Sequence, residues 1–177
     1  MHHSSRTLWT LCVLIVLCPP AIAQTAKQTS ATYDDWTVSC VNQAPPNTKT
    51  CQVLQAQTLQ GQTAQLTRIA ITPVPGRPLA KVYFQVPSNV RIVSGIRLLG
   101  SGEESFVTAA FLWCASSRCV AENDVSVELL GRLAKTSDAR IVFKDANERE
   151  VAVPVSTKGL SQTLNAMNEA LMQGKEK

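Results

Sequence analysis

Tyr33-Asp34-Asp35-Trp36-Thr37-Val38-Ser39-Cys40 and, after a turn-rich break, Cys51-Gln52-Val53-Leu54-Gln55-Ala56-Gln57-Thr58 are the stretches that decide the fold class. In the first, Trp36, Val38 and Cys40 recur at every second position, so a β-strand would place all three on one face. The break at residues 42–50 (NQAPPNTKT) is rich in Pro and Asn, and two cysteines flank it. Such a pattern reads as a hairpin with an irregular loop. Working outward, further strand-like runs lie at residues 65–71, 79–86, 90–99 and 106–114, separated by Pro/Gly signals at 73–78, 87–89 and 100–102. Short strands at intervals of about 8–14 residues predict an antiparallel sandwich or barrel.

Two segments break this rhythm. Residues 125–134 (VSVELLGRLA) place Val125, Leu129 and Leu133 at helical spacing, with Asp124 as the expected N-cap. At the C-terminus Leu160, Leu164, Met167 and Leu171 form one stripe of an amphipathic helix over 160–172. Its polar face (Gln162, Asn165, Glu169) lacks lysines, so the stripe reads as core packing rather than a membrane-surface helix. Between the helices, RIVFK (140–144) and EVAVPV (150–155) flank Asp145-Ala146-Asn147-Glu148, a hairpin signal. Residues 24–32 (QTAKQTSAT) have no periodicity and read as a flexible leader, leaving one domain over 33–173.

The N-terminus carries the marks of export. An apolar run at residues 8–18 follows Arg6, Pro19 and Pro20 break it, and Ala21-Ile22-Ala23 supplies a small-x-small cleavage pattern. Eleven residues span only about 16 Å as a helix against a hydrocarbon core of roughly 30 Å, which disfavours a retained anchor. A lipidated Cys18 is disfavoured too, because Leu17 before it is not small. A cleaved signal over 1–23 is therefore expected, with no transmembrane segment after it. Of the six cysteines, Cys12 and Cys18 would leave with the signal. The remaining four allow three connectivities, and spacing favours the local pairs Cys40–Cys51 and Cys114–Cys119 in an oxidising compartment. Cys114 and Cys119 are spaced C-x4-C, not C-x-x-C, so a structural bridge is favoured over redox chemistry.

Removing the signal also changes the chemistry available. Both histidines and Arg6 go, Lys+Arg falls from 17 to 16 against Asp+Glu 13, and a net charge of +3 remains. Without histidine there is no Ser-His-Asp or Cys-His nucleophile and no His-ligated metal or haem. The scattered cations show no basic cluster of the kind nucleic-acid binders carry. Adjacent acids (Asp34-Asp35, Glu103-Glu104) would point to opposite faces of a strand. Asp145-Ala146-Asn147-Glu148 lacks the ligands of a calcium loop, and Lys158-Gly159 lacks the upstream glycine of a phosphate loop. No catalytic residue, cofactor or metal is expected. The remaining candidate is a surface: Arg91 and Arg97 in one strand-like run, extended by Arg68 and Lys81 from neighbouring strands, as a patch for an anionic partner.

The order of landmarks resembles the invasion-associated locus B family of exported bacterial proteins. The likeness runs over Asp35-Trp36-Thr37-Val38-Ser39-Cys40, Cys51-Gln52-Val53-Leu54-Gln55, Val86-Pro87-Ser88-Asn89-Val90 with Ser94-Gly95-Ile96, Phe111-Leu112-Trp113-Cys114 through Cys119-Val120-Ala121, and Val153-Pro154-Val155-Ser156-Thr157-Lys158-Gly159-Leu160. Departures are Asn89 and Arg118 where glycine is usual, and Thr157 and Leu160 where leucine and phenylalanine are. The resemblance implies an immunoglobulin-like antiparallel β-sandwich with added helices, export to the periplasm or outer surface, and the two local disulfides. It implies no active site. The expectation is a non-enzymatic interaction protein of the envelope, serving host contact or envelope integrity, whose partner is a protein or a component of the envelope or host surface. The alternative is an inhibitor of a lysozyme or protease, for which the loop at residues 72–78 with Arg77 is the candidate.

Overall fold

A computed structural model describes residues 28–43, 48–58 and 65–173. The proposed signal and its cleavage site lie outside the described residues. Ten strands are seen among them: β1 (Gln28–Tyr33), β2 (Trp36–Gln43), β3 (Thr48–Thr58), β4 (Gln65–Pro73), β5 (Leu79–Pro87), β6 (Ile96–Leu99), β7 (Ser105–Cys114), β8 (Arg118–Ser126), β9 (Ala139–Lys144) and β10 (Glu150–Val155). Helices α1 (Val127–Leu133) and α2 (Leu160–Gln173) follow β8 and β10.

Every strand pairing is antiparallel, and the order across the sheet is β1-β2-β3-β4-β5-β8-β7-β6-β9-β10. The sheet is continuous, which corrects the expected immunoglobulin-like sandwich of two separate sheets to one curled sheet. The physical reason is β7. Its first half pairs with β6 (Ile96↔Ala109) and its second half with β8 (Ala110↔Glu122, Cys114↔Cys119), so one strand carries the ladder around the corner. Alternation supplies the core on the inner face. In β5, Ala80, Val82, Phe84 and Val86 are buried while Lys81, Tyr83 and Gln85 are not. Trp36, Val53, Ile71, Ile96, Leu98 and Ile141 come from other strands to meet them. Fully burying one such side chain contributes about 1.5–3 kcal/mol.

The helices cap this interior. α2 packs on β1, β2 and β3, burying Leu160, Thr163 and Met167, with Leu164 and Leu171 partly covered, as the apolar stripe predicts. α1 begins two residues later than expected: Val125 still belongs to β8, and Ser126, its last residue, is the N-cap, its Oγ accepting from the Leu129 amide at 3.1 Å. Four other readings are corrected. The leader gives way at Gln28, where β1 pairs along its whole length with β2 through the Asp34-Asp35 turn. The run at 90–99 is not one strand. Val90 makes an isolated bridge to Asp145, Ile92–Ser94 form a 3-10 turn, and β6 starts only at Ile96. β8 itself has no counterpart among the expected strands, because Glu122-Asn123-Asp124 hides its alternation. Asn89 is not in the left-handed conformation that a glycine replacement would suggest.

Candidate functional site

Both expected disulfides form. Cys40 and Cys51 are directly opposed on β2 and β3, with Cα atoms 4.1 Å apart. Cys114 and Cys119 are opposed on β7 and β8, 4.0 Å apart. The first bridge is buried on both sides, whereas Cys114 of the second faces solvent. Each staples its hairpin on the side of the connecting loop.

The four basic residues do not form one patch. Arg91 precedes the 3-10 turn and pairs with Glu148, while Arg97 on β6 lies 3.6 Å from Glu150. On β5, Lys81 Nζ is 2.9 Å from both Glu122 Oε1 and Asp124 Oδ1. Hydrogen bonds from its ammonium to Glu122, then to Asp124, hold its pKa above the ordinary lysine value. Three of the four cations are thus matched by carboxylates contributed from β8 or the β9–β10 hairpin. Arg68 on β4 makes no ion pair among the described residues.

Arg68 instead borders a shallow groove of about 210 Å³ on the outer face of β3, β4, β5 and β8, lined also by Gln52, Thr72, Tyr83, Gln85 and Val120. Antiparallel register explains the grouping, because Arg68 lies opposite Gln85, Gln85 opposite Val120, and Val120 opposite Trp113. The groove offers a guanidinium, two amides and a phenol around a partly apolar floor. That set can hold a phosphate or carboxylate by paired N–H donors, but contains no nucleophile with an adjacent base. Tyr83 and Gln85 were not singled out in the sequence, although Lys81-Val82-Tyr83-Phe84-Gln85 places both on the outward face with Lys81.

The other candidates serve the fold. Asp145 is buried, and that burial opposes its charge. The Arg149 guanidinium (Nε at 2.8 Å) and the amides of Arg149 and Asn147 outweigh it and hold the carboxyl below the ordinary aspartate range. The hairpin's own donors therefore occupy the oxygens a calcium ion would need. Among the described residues no group of His, Cys, Asp and Glu is arranged to hold a metal. The loop at residues 72–78 is a tight turn closed by Val74 N–H to the Leu79 carbonyl at 2.9 Å, so Arg77 is exposed but not projected on a long loop. A larger depression of about 420 Å³ beside β9 and β10 is lined by Ser137, Asp138, Arg140 and Pro154, with Arg140 paired to Glu103.

The model of the Invasion associated locus B protein family matches residues 36–168, from the first buried tryptophan to the middle of α2. The chain belongs to that family. Its fold is also that of invasion associated protein B from Bartonella henselae, whose crystal structure matches with a TM-score of 0.72 at 15% identity, over 82% of this chain and 98% of that one. No curated protein matches the sequence. Within the locus B frame the departures have local explanations. Leu160 is fully buried, and Thr157 Oγ1 donates to the Thr136 carbonyl at 2.7 Å. Arg118 closes the β7–β8 turn, its carbonyl accepting from the Ala115 amide at 2.8 Å. Among the described residues no helix is long and apolar enough to cross a membrane.

Proposed function

We propose that this locus B protein is an exported, non-enzymatic interaction protein of the bacterial envelope, and that it captures an anionic partner on the outer face of its sheet around Arg68. The observation that carries this reading is the contrast among the four cations. Lys81, Arg91 and Arg97 are matched by carboxylates, and Arg68 stands in a groove beside Tyr83 and Gln85. Family membership supports the envelope setting, as does the export-like N-terminus with two disulfides. The name of the Bartonella henselae neighbour points to invasion, which makes host contact one setting for such capture and envelope integrity the other. The histidine-free chain after residue 23 supports a binding role over catalysis.

A photo-crosslinking amino acid at Gln85, activated in intact cells and followed by mass spectrometry, tests the proposal. A partner bearing phosphate or acidic side chains at the crosslinked site is expected. Recovery of a partner that contacts Gln85 through a basic surface would overturn it.

A further inference from the structure

Seven large apolar side chains are exposed among the described residues, and four of them gather at one corner: Ile92, Val93, Leu112 and Trp113. Two irregularities bring them there. In β7 the register shifts between Phe111 and Trp113, so Leu112 and Trp113 together oppose the single residue Val120. Strict alternation would bury one of the two, whereas the bulge leaves both exposed, at 56% and 48%. Beyond Ala109 the other edge of β7 loses β6 as its neighbour, and the 3-10 turn Ile92–Ser94 packs there instead. Gly95 permits this approach. Its φ is +62°, and a Cβ at that position would lie 2.7 Å from the Ala109 carbonyl oxygen. Ser88 Oγ donates to the Ser116 carbonyl at 3.1 Å, tying the chain before the turn to the β7–β8 loop. The result is an exposed apolar tip whose most solvent-accessible side chain, and so its summit, is Val93 at 84%.

The rim of this tip is cationic. Arg118 starts β8 with no ion pair among the described residues. Arg91 precedes the turn, and its amide donates to the Lys144 carbonyl, which brings Lys144 and the Asp145–Arg149 hairpin alongside. The carboxylates here are Glu148, paired with Arg91, Asp145, paired with Arg149, and Glu150, which lies opposite Lys144 and pairs with Arg97, so with Arg118 and Lys144 the cations still outnumber the carboxylates. An aliphatic cluster with an exposed tryptophan, ringed by cations, matches the boundary of an anionic bilayer. Acyl chains accept the summit, the indole suits the headgroup level, and phosphates meet the rim.

We infer that this corner docks the protein on an anionic phospholipid surface, with Ile92, Val93, Leu112 and Trp113 entering the interface and Arg118 and Lys144 contacting phosphates. The inference goes beyond the Arg68 reading, uses none of the groove's polar residues, and stands if that reading fails. Shallow apolar insertion plus a few cations gives reversible adsorption, not permanent anchoring.

The test uses the protein as exported by its expressing cell, sedimented with vesicles of phosphatidylethanolamine and phosphatidylglycerol, and in parallel with phosphatidylcholine vesicles. Binding to the anionic vesicles that weakens with salt is expected, with a blue shift of Trp113 emission that Trp113→Phe removes; Trp36 is already buried and contributes none. Leu112→Ser with Trp113→Ser should weaken binding by about tenfold or more, since each buried apolar chain contributes on the order of a factor of ten. Arg118→Glu should weaken binding to the anionic vesicles. Val127→Ser, which changes an exposed apolar residue elsewhere, should leave it unchanged. Absence of binding to anionic vesicles, or a Leu112/Trp113 double variant that pellets like the parent, would overturn the inference. Residual apolar residues at the N-terminus would retain parent and variant alike and so give the second, overturning result.

Discussion

The indole Nε1 of Trp36 donates a hydrogen bond to the backbone carbonyl of Ser156 at 2.8 Å, across 120 residues of sequence. Gln55 reinforces the same point: its Nε2 donates to the Ser156 carbonyl at 3.0 Å and its Oε1 accepts from the Ser156 amide at 3.2 Å. Ser156 directly follows β10, an edge of the sheet, whereas Trp36 and Gln55 lie on β2 and β3 near the other edge. These bonds draw the two ends of the curl together beneath α2.

Trp36→Phe should therefore lower unfolding stability by about 1–3 kcal/mol, through the lost hydrogen bond and the volume removed from a fully buried site. Trp36→Ala should cost about 3–5 kcal/mol. Urea unfolding followed by circular dichroism measures both. A loss below about 0.5 kcal/mol for Trp36→Ala would show that the Trp36 bond and its packing do not hold the closure.

Two glycines should respond in opposite directions to alanine. Gly159 has φ +81°, and a Cβ there would collide with the Tyr33 carbonyl at the β1–β2 turn. Gly159→Ala should thus destabilise by more than about 1 kcal/mol, the scale of a left-handed alanine before any clash is added. Gly131 lies in α1 with open space around it, so Gly131→Ala should stabilise by about 0.5–1 kcal/mol. Thermal melts of the two variants report the sign directly.

The two disulfides should reduce in a fixed order. Cys114 is exposed, while Cys40 and Cys51 are both buried, so a thiol reductant should open Cys114–Cys119 first. Loop-closure entropy ranks the two bridges in the same order. With separations of 11 and 5 residues, the chain-entropy model assigns about 3 kcal/mol to Cys40–Cys51 and about 2 kcal/mol to Cys114–Cys119. Timed alkylation with mass spectrometry gives the order, and paired Cys→Ala variants give the stabilities.

Acid should act through Asp145. Its folded pKa lies below the ordinary value of 3.8, so the charged form stabilises the native state above that value. The contribution is lost as pH falls from there through the depressed folded value. Asp145→Asn should flatten the acid limb of a stability–pH profile, and an unchanged limb would contradict the assignment. Lys81 has the opposite sign. Its pKa is raised by Glu122 and Asp124, so its contribution is complete below the ordinary 10.5 and declines only at more alkaline pH.

Much of this architecture is legible in the sequence where one face alternates locally. Trp36-Thr37-Val38-Ser39-Cys40, residues 79–86 and the stripe of α2 needed no distant information. The 3-10 turn at Ile92–Ser94 was hidden because Val90-Arg91-Ile92-Val93 has strand propensity, and only the close approach of Gly95 to Ala109 makes the turn necessary. β8 was hidden because Glu122 and Asp124 look like loop residues until Lys81 on the adjacent strand faces both. The same distance dependence governs the candidate site. The cysteine pairs follow from spacing, but Lys81 and Arg91 are neutralised by partners 41 and 57 residues away, so Arg68 could be singled out only in three dimensions.

The central claim, capture of an anionic partner around Arg68, is tested most directly by reversing one charge at a time. Crosslinked partner recovered from intact cells would be compared for Arg68→Glu, Arg91→Glu and Arg97→Glu at matched thermal stability. The account predicts that Arg68→Glu abolishes capture while the other two retain it. Undiminished capture by Arg68→Glu, or equal loss in all three, would contradict it.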